Sequence, residues 1–416
     1  MDCMMWRGRS AAWQCVALHT RLLQRVGFMR AATRAHALYR ALVLAVTALY
    51  LLQECVYAYR ERGDMAKLSQ VMFLLLCHIT SIAKQIVFHI DADRIDEMVR
   101  GFNAEPMYDG DAALLARTAA AARRLVRAYA GCAVFTCTLW LVFPALRRAA
   151  GHAVEFPFWM PLRTDPPAIF VVVLLYSYYV TTLVGIANTT MDAFIATVLY
   201  QCKTQLTILR YRNDIQALPD RAKSLSIKMD DKYETVLMAL FVKCYHHYQK
   251  ITDTAALLGN IFGGAILVQF GIGGWILCMA AYKLASLNIL SIEFASIVLF
   301  ILCILTELFL YCYYGNELTV ESEKIVESVY LSRWERTPLR FQRALLLLLE
   351  RARRPLRPAA GRVVPLSLDT FLKYLFTDPQ IVLHVLCRAP ADEIEHTLVP
   401  AAAARGRRRL YTILLR

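Results

Sequence analysis

Long apolar runs alternate along the chain with short polar, basic intervals. Six of the runs reach the roughly 20 residues that cross a bilayer core about 30 Å thick. They are Leu38–Ala58, Leu68–His89, Leu125–Leu146, Ala168–Thr190, Thr254–Tyr282 and Phe294–Tyr314. Charges inside them are sparse: Arg40 and Glu54 near the ends of the first, Lys84 in the second, Arg127 at the edge of the third and Glu307 in the sixth. A seventh run, residues 366–387, is degenerate. Asp369, Lys373 and Asp378-Pro379 interrupt it, and each charge at a helix centre costs about 2.5–3.5 kcal/mol on insertion scales. The pattern predicts an all-α polytopic membrane protein with seven transmembrane helices, the last one weak.

Between the runs the period stays helical. Lys232–Ile251 reads as an amphipathic lead into the fifth helix, with Leu237, Leu240, Phe241, Cys244 and Tyr248 on one face. Leu206, Leu209 and Tyr211 continue the fourth, and Phe341–Leu349 is a short apolar helix bounded by Arg351 and Pro355. The sixth run reaches a tyrosine cluster, and Gly315-Asn316 predicts a break there because both residues tolerate left-handed backbone angles.

Composition sharpens this picture. Hydrophobic residues make up 58% of the 416 and charged residues only 19%, below the roughly 25% of soluble domains. The net charge of +14 would suit a nucleic-acid partner, but its distribution argues otherwise. Segments 1–37, 90–124, 203–243 and 315–365 carry about 6, 5, 8 and 10 basic residues, against about 3, 3 and 1 for loops 59–67, 146–167 and 283–291. Positive residues stay inside. The N-terminal segment 1–37, the helical segment 203–253 and the segment 315–365 are therefore expected in the cytoplasm, and no nucleic acid is needed to explain the charge. Arginines interrupt every apolar stretch before residue 38, so the first span is expected to act as its own targeting signal. The twelve cysteines lie mostly in apolar runs, with no C-x-x-C pair and none in the short outer loops, so neither a metal nor a disulfide is expected.

No catalytic constellation emerges: G-x-S-x-G, H-E-x-x-H and a phosphate loop are all missing from the sequence, and no enzyme activity or cofactor is expected. His246 and His247 are adjacent, so on a helix they diverge by about 100° and make a packed pair rather than two ligands of one ion. Lys84 is expected to snorkel, and Glu307 to pair with a polar neighbour inside the bundle. Gly259 and Gly263 form a small-residue packing face. The sequon Asn188-Thr189-Thr190 lies inside the fourth helix and is expected to be unused. In the outer halves of helices two to four, Phe73, Cys77, Phe135, Thr138, Trp140, Tyr176, Tyr179 and Thr182 outline an aromatic cavity with sparse hydroxyls. Such a cavity suits a small, volatile, mostly apolar ligand held by shape and dispersion. The loop 147–167, rich in proline and aromatics, suits a stiff lid.

The run Tyr311-Cys312-Tyr313-Tyr314-Gly315-Asn316-Glu317-Leu318, followed by Ser322, Tyr330 and Trp334, resembles the insect odorant receptor family. Supporting segments are Cys244-Tyr245-His246-His247, Asp192 with Gln205 and Leu206, and Pro355, Gly361 and Leu366–Phe371, so the resemblance spans residues 38–372. It implies a ligand-gated cation channel in which an odorant-tuned subunit assembles with a shared coreceptor into a tetramer, in the plasma membrane of olfactory sensory neurons. It further implies a ligand pocket among the outer halves of helices two, three, four and six, and a pore lined by the last helix. The cytoplasmic ends of helices four to seven would form an anchor, giving His246, His247, Tyr311, Gly315, Asn316, Tyr330 and Trp334 an assembly role. After Phe371 the chain departs from the family: Asp378-Pro379 and an Arg-rich tail, 388–416, stand where a smooth apolar helix is expected. Two alternatives remain. One is a gustatory receptor of the same superfamily. The other is a membrane transporter, for which the expected internal repeat is not found.

Overall fold

The computed structural model describes residues 11–30, 33–104, 107, 111–152, 154–161, 166–211, 215, 217–229, 232–285, 287–288 and 290–375. Two short helices, α1 (Ala11–Gln14) and α2 (Ala17–Arg25), precede the first long one. Then come α3 (Arg34–Arg60), α4 (Met65–Ile90), α5 (Ala92–Gly101), α6 (Ala112–Ala149), α7 (Pro167–Tyr211), α8 (Leu218–Met229), α9 (Tyr233–Ala285), α10 (Ile292–Tyr330) and α11 (Leu339–Ala352). A two-stranded hairpin, β1 (Ala359–Ala360) with β2 (Val364–Pro365), closes the series. The chain splits into residues 1–372 and 373–416, and all of these elements belong to the first unit. The predicted seventh helix starts at residue 368 and is helical to 375; its remainder and the tail 388–416 lie outside the described residues.

Among the described residues six helices, α3, α4, α6, α7, α9 and α10, are long and apolar enough to cross a membrane, and they contain the six predicted runs. Several far exceed a bilayer. At about 1.5 Å per residue the 53 residues of α9 reach about 80 Å. The amphipathic lead predicted at 232–251 is thus the first part of one unbroken helix that begins at Tyr233. The N-terminal side of α6 also begins earlier than its apolar run, where Asp111 caps the helix through its side chain at 2.9 Å from Ala113 N. On α3, Leu38, Leu42, Leu49 and Leu52 are exposed, as a lipid-facing helix requires.

Gly315-Asn316 does not break the sixth span. Helix α10 runs straight through it to Tyr330. The glycine is needed for a different reason: a Cβ there would stand 2.6 Å from the carbonyl oxygen of Leu366. It lets the lead-in to the last helix lie directly on α10. The same device recurs on α9, where the backbone N–H of Gly361 donates to the carbonyl of Gly263 at 2.7 Å. Gly361 sits at φ +57°, and a Cβ there would meet Leu267 Cδ2 at 2.4 Å. So Gly263 seats the hairpin, whereas Gly259 has nothing among the described residues within 4 Å of a Cβ position.

Candidate functional site

Two adjoining chambers open inside the bundle. The outer one, of about 190 Å³, lies between Phe73 and Leu74 of α4, Cys137 and Trp140 of α6, Ser177, Tyr178 and Thr181 of α7, and Ile297 of α10. Its roof is the loop after α6, through Glu155, Phe156 and Pro157. That loop is held down on the bundle. Phe158 is buried, its ring 5.2 Å from that of Tyr50 and 6.2 Å from that of Tyr176, and Trp159 N–H donates to the carbonyl of Gln53 at 3.1 Å. Charges mark the rim: Lys283 pairs with Glu293 at 3.3 Å, and Lys67 with Glu155 at 2.7 Å.

The inner chamber, about 70 Å³, shares Leu74, Cys137, Trp140 and Thr181 with the outer one. Between the two stands an aromatic trio: the Phe73 ring lies 6.1 Å from Trp140 and 5.3 Å from Phe300, and Trp140 lies 5.7 Å from Phe300. The inner wall is drawn from helical stripes, each of which places side chains three or four apart on one face. Helix α6 gives Tyr129, Ala133, Thr136 and Cys137; α7 gives Thr181, Val184, Gly185, Asn188 and Thr189; α10 gives Phe300, Cys303, Ile304 and Glu307.

One turn further along the same stripes lies an ion cluster. Lys84 Nζ donates to Asp192 Oδ1 at 2.5 Å, to Asn188 Oδ1 at 3.0 Å and to Glu307 Oε1. Tyr311 donates its hydroxyl to the same Asp192 oxygen at 2.5 Å. Lys84, Asp192 and Glu307 are each 0% exposed. The expectation that Lys84 snorkels is therefore incorrect: two carboxylates from other helices hold it inside. Glu307 pairs inside the bundle with Lys84, in line with the expectation for it. A second buried pair, His78 Nδ1 with Glu54 Oε2 at 2.7 Å, links α4 to α3.

The proposed ligand residues divide. Phe73 and Trp140 line the outer chamber, and Cys77 and Trp140 the inner one. Thr138 reaches the chamber through Tyr178, whose hydroxyl is 3.4 Å from its own. Tyr176 packs beneath the loop and donates to Gln53 Oε1 at 3.1 Å, and Thr182 is half-buried beside the wall. Phe135 and Tyr179 point away from both chambers and are 57% and 56% exposed. Among the proposed assembly residues, His246 is exposed while His247 is buried and bonded to Gln205 Oε1 at 2.8 Å, with Gln205 Nε2 donating to Met107 O at 2.7 Å. Tyr311 and Gly315 are buried, Asn316 and Trp334 half-buried, and Tyr330 is 53% exposed.

A seven-transmembrane odorant receptor family model matches residues 64–376. The chain belongs to that family. Odorant receptor Or1 of Anopheles gambiae is 21% identical over 348 residues, covering 79% of this chain and 82% of that receptor. Odorant receptor 22b of Drosophila melanogaster is 28% identical over 191 residues, or 45% of each. The structure is similar to that of the olfactory receptor OR5 from Machilis hrabei in complex with eugenol, with a TM-score of 0.75 at 14% identity over 89% of this chain and 97% of that one. At that identity the likeness establishes the fold. This odorant receptor is thus a multi-pass membrane protein whose relatives are receptors rather than enzymes.

Proposed function

We propose that the receptor binds a small volatile odorant in the two chambers and, with a shared coreceptor, gates a cation channel in the plasma membrane of olfactory sensory neurons. The observation that carries this reading is the roofed outer chamber, walled by Leu74, Tyr178 and Ile297 and floored by the aromatic trio. Its aromatic wall offers polarizable surface, polar side chains such as Ser177, Tyr178 and Thr181 lie beside it, and the inner chamber is mostly apolar, which suits small volatile ligands. A ligand filling it favours whichever state of the bundle makes the better contacts, and shifts the equilibrium by that difference. The cytoplasmic ends of α7, α9 and α10 with α11 present Tyr330, Trp334 and the exposed Leu346 and Leu347. This surface is assigned to assembly with the coreceptor. The eugenol complex of the Machilis receptor supports the class of ligand.

The test is expression with and without the coreceptor, under a panel of volatiles. Odour-evoked cation currents that require both chains support the reading. Current carried by the coreceptor alone, or no response from a receptor shown to reach the cell surface, overturns it. Trp334→Ala is expected to lose co-purification with the coreceptor while keeping the fold.

A further inference from the structure

Two side chains of the inner chamber each present one uncommitted nitrogen. They are His78 of α4 and Asn188 of α7, and both line the chamber. His78 Nδ1 lies 2.7 Å from Glu54 Oε2, which leaves Nε2 as the second ring nitrogen. Asn188 is oriented by Lys84, whose Nζ donates to its Oδ1 at 3.0 Å. An ammonium has only protons to offer, so the amide oxygen faces it and the Nδ2 protons are left over. Among the described residues neither His78 Nε2 nor Asn188 Nδ2 takes a hydrogen bond.

The charge of the His78–Glu54 pair decides whether Nε2 carries a proton. Both residues are buried, and among the described residues no Lys or Arg pairs with Glu54. A carboxylate beside a neutral imidazole would leave a net negative charge in an apolar interior, which is costly. A neutral pair avoids that cost in two forms. In one, a carboxylate faces an imidazolium, with protons on both ring nitrogens. In the other, the carboxyl group keeps its proton and donates it to Nδ1, and the ring proton sits on Nε2. Nε2 is a donor in both, so the two uncommitted nitrogens both offer protons. A ligand without an acceptor shuts these donors away from water unpaired, whereas a ligand oxygen pairs them.

We infer that His78 and Asn188 form the polar end of the ligand site and that the receptor is tuned to small volatiles carrying a carbonyl oxygen. Such ligands include aldehydes, ketones and esters, as distinct from hydrocarbons of equal shape. The carbonyl end enters the inner chamber, past Trp140, and the apolar remainder occupies the larger outer one. Glu54 lines neither chamber and acts through His78, as a positioning residue. This rests on the pocket reading above.

The test uses cells expressing the receptor with its coreceptor and a panel matched in chain length: a methyl ketone, the alkene with CH2 in place of the carbonyl oxygen, and the primary amine, whose ammonium form only donates. The ketone is expected to be at least about tenfold more potent than the alkene. Equal potency of ketone and alkene in the wild type overturns the inference while leaving the pocket reading intact. An amine more potent than the ketone places a lone pair on Nε2 and also overturns it. Silence toward all three, from a surface receptor that answers other volatiles, overturns this inference alone; silence toward every volatile overturns the pocket reading with it. The double variant His78→Phe with Glu54→Met removes both partners of the pair together and is expected to bring the ketone-to-alkene potency ratio toward one. An unchanged ratio in that variant contradicts the assignment. The wild-type comparison decides the matter even if the variant fails to reach the surface.

Discussion

The two halves of α7 form one unbroken helix and are buried very differently. From residue 187 to 199 every side chain is buried, whatever direction it points. From 167 to 186 buried positions alternate with exposed ones such as Val171, Val172, Leu175 and Tyr179. The inner half is surrounded by protein and carries Asp192 of the ion cluster. The outer half is exposed on one side and lines the two chambers on the other. Packing is therefore densest around the half that carries the ion cluster, and the less enclosed half leaves room for the two chambers. Changes in the inner half are expected to abolish the receptor, and changes in the outer half to retune it.

The largest effect is expected at Lys84. Lys84→Ala leaves two buried carboxylates without their cation, a loss of about 3–5 kcal/mol, and should eliminate surface expression as measured by labelling of intact cells. A triple variant, Lys84→Met with Asp192→Asn and Glu307→Gln, removes the charges together and should recover part of that expression. Next is Gly315→Ala, which forces the backbone of Leu366 away from α10 at about 1–3 kcal/mol. It should lower the thermal unfolding midpoint of the purified protein, whereas Gly259→Ala, with open space around it, should not. A smaller effect is expected at His19, outside the spans, where burial pushes the imidazole down to about 4. Because protonation is disfavoured only in the folded form, His19 contributes stability above about pH 6.5 that is lost as pH falls toward 4. His19→Gln should flatten that part of the stability profile, read by proteolysis of the N-terminal helices between those pH values.

Much of this was legible in the chain. Apolar runs of membrane-crossing length need no tertiary information, so the six spans and the helical extensions of α7 and α9 beyond them could be read directly. The ion cluster could not be read from each span alone, since Lys84 and Glu307 are 223 positions apart. A weaker signal was present in the spacing. Asn188 and Asp192, and Glu307 and Tyr311, stand four apart, so each pair shares a helix face. Polar residues repeated on one face of an otherwise apolar helix point to a common partner inside the bundle. Local preference misled at Gly315-Asn316, where a small residue admits a neighbouring backbone instead of ending a helix. Phe135 and Tyr179 show the limit of composition as a guide. Aromatic side chains serve lipid and ligand equally well, and only the rotation of each helix in the bundle separates the two roles.

That rotation supplies the most direct test of the ligand site. Dose–response curves for one activating volatile should be recorded in cells expressing the coreceptor with wild-type receptor, Trp140→Ala or Tyr179→Ala. Trp140 stands between the chambers and Tyr179 faces outward. The prediction is a shift of about tenfold or more in potency for Trp140→Ala, from a lost aromatic contact in a buried pocket, with Tyr179→Ala superimposing on the wild type. Equal shifts for the two, or a shift for Tyr179→Ala alone, would contradict the placement of the ligand site.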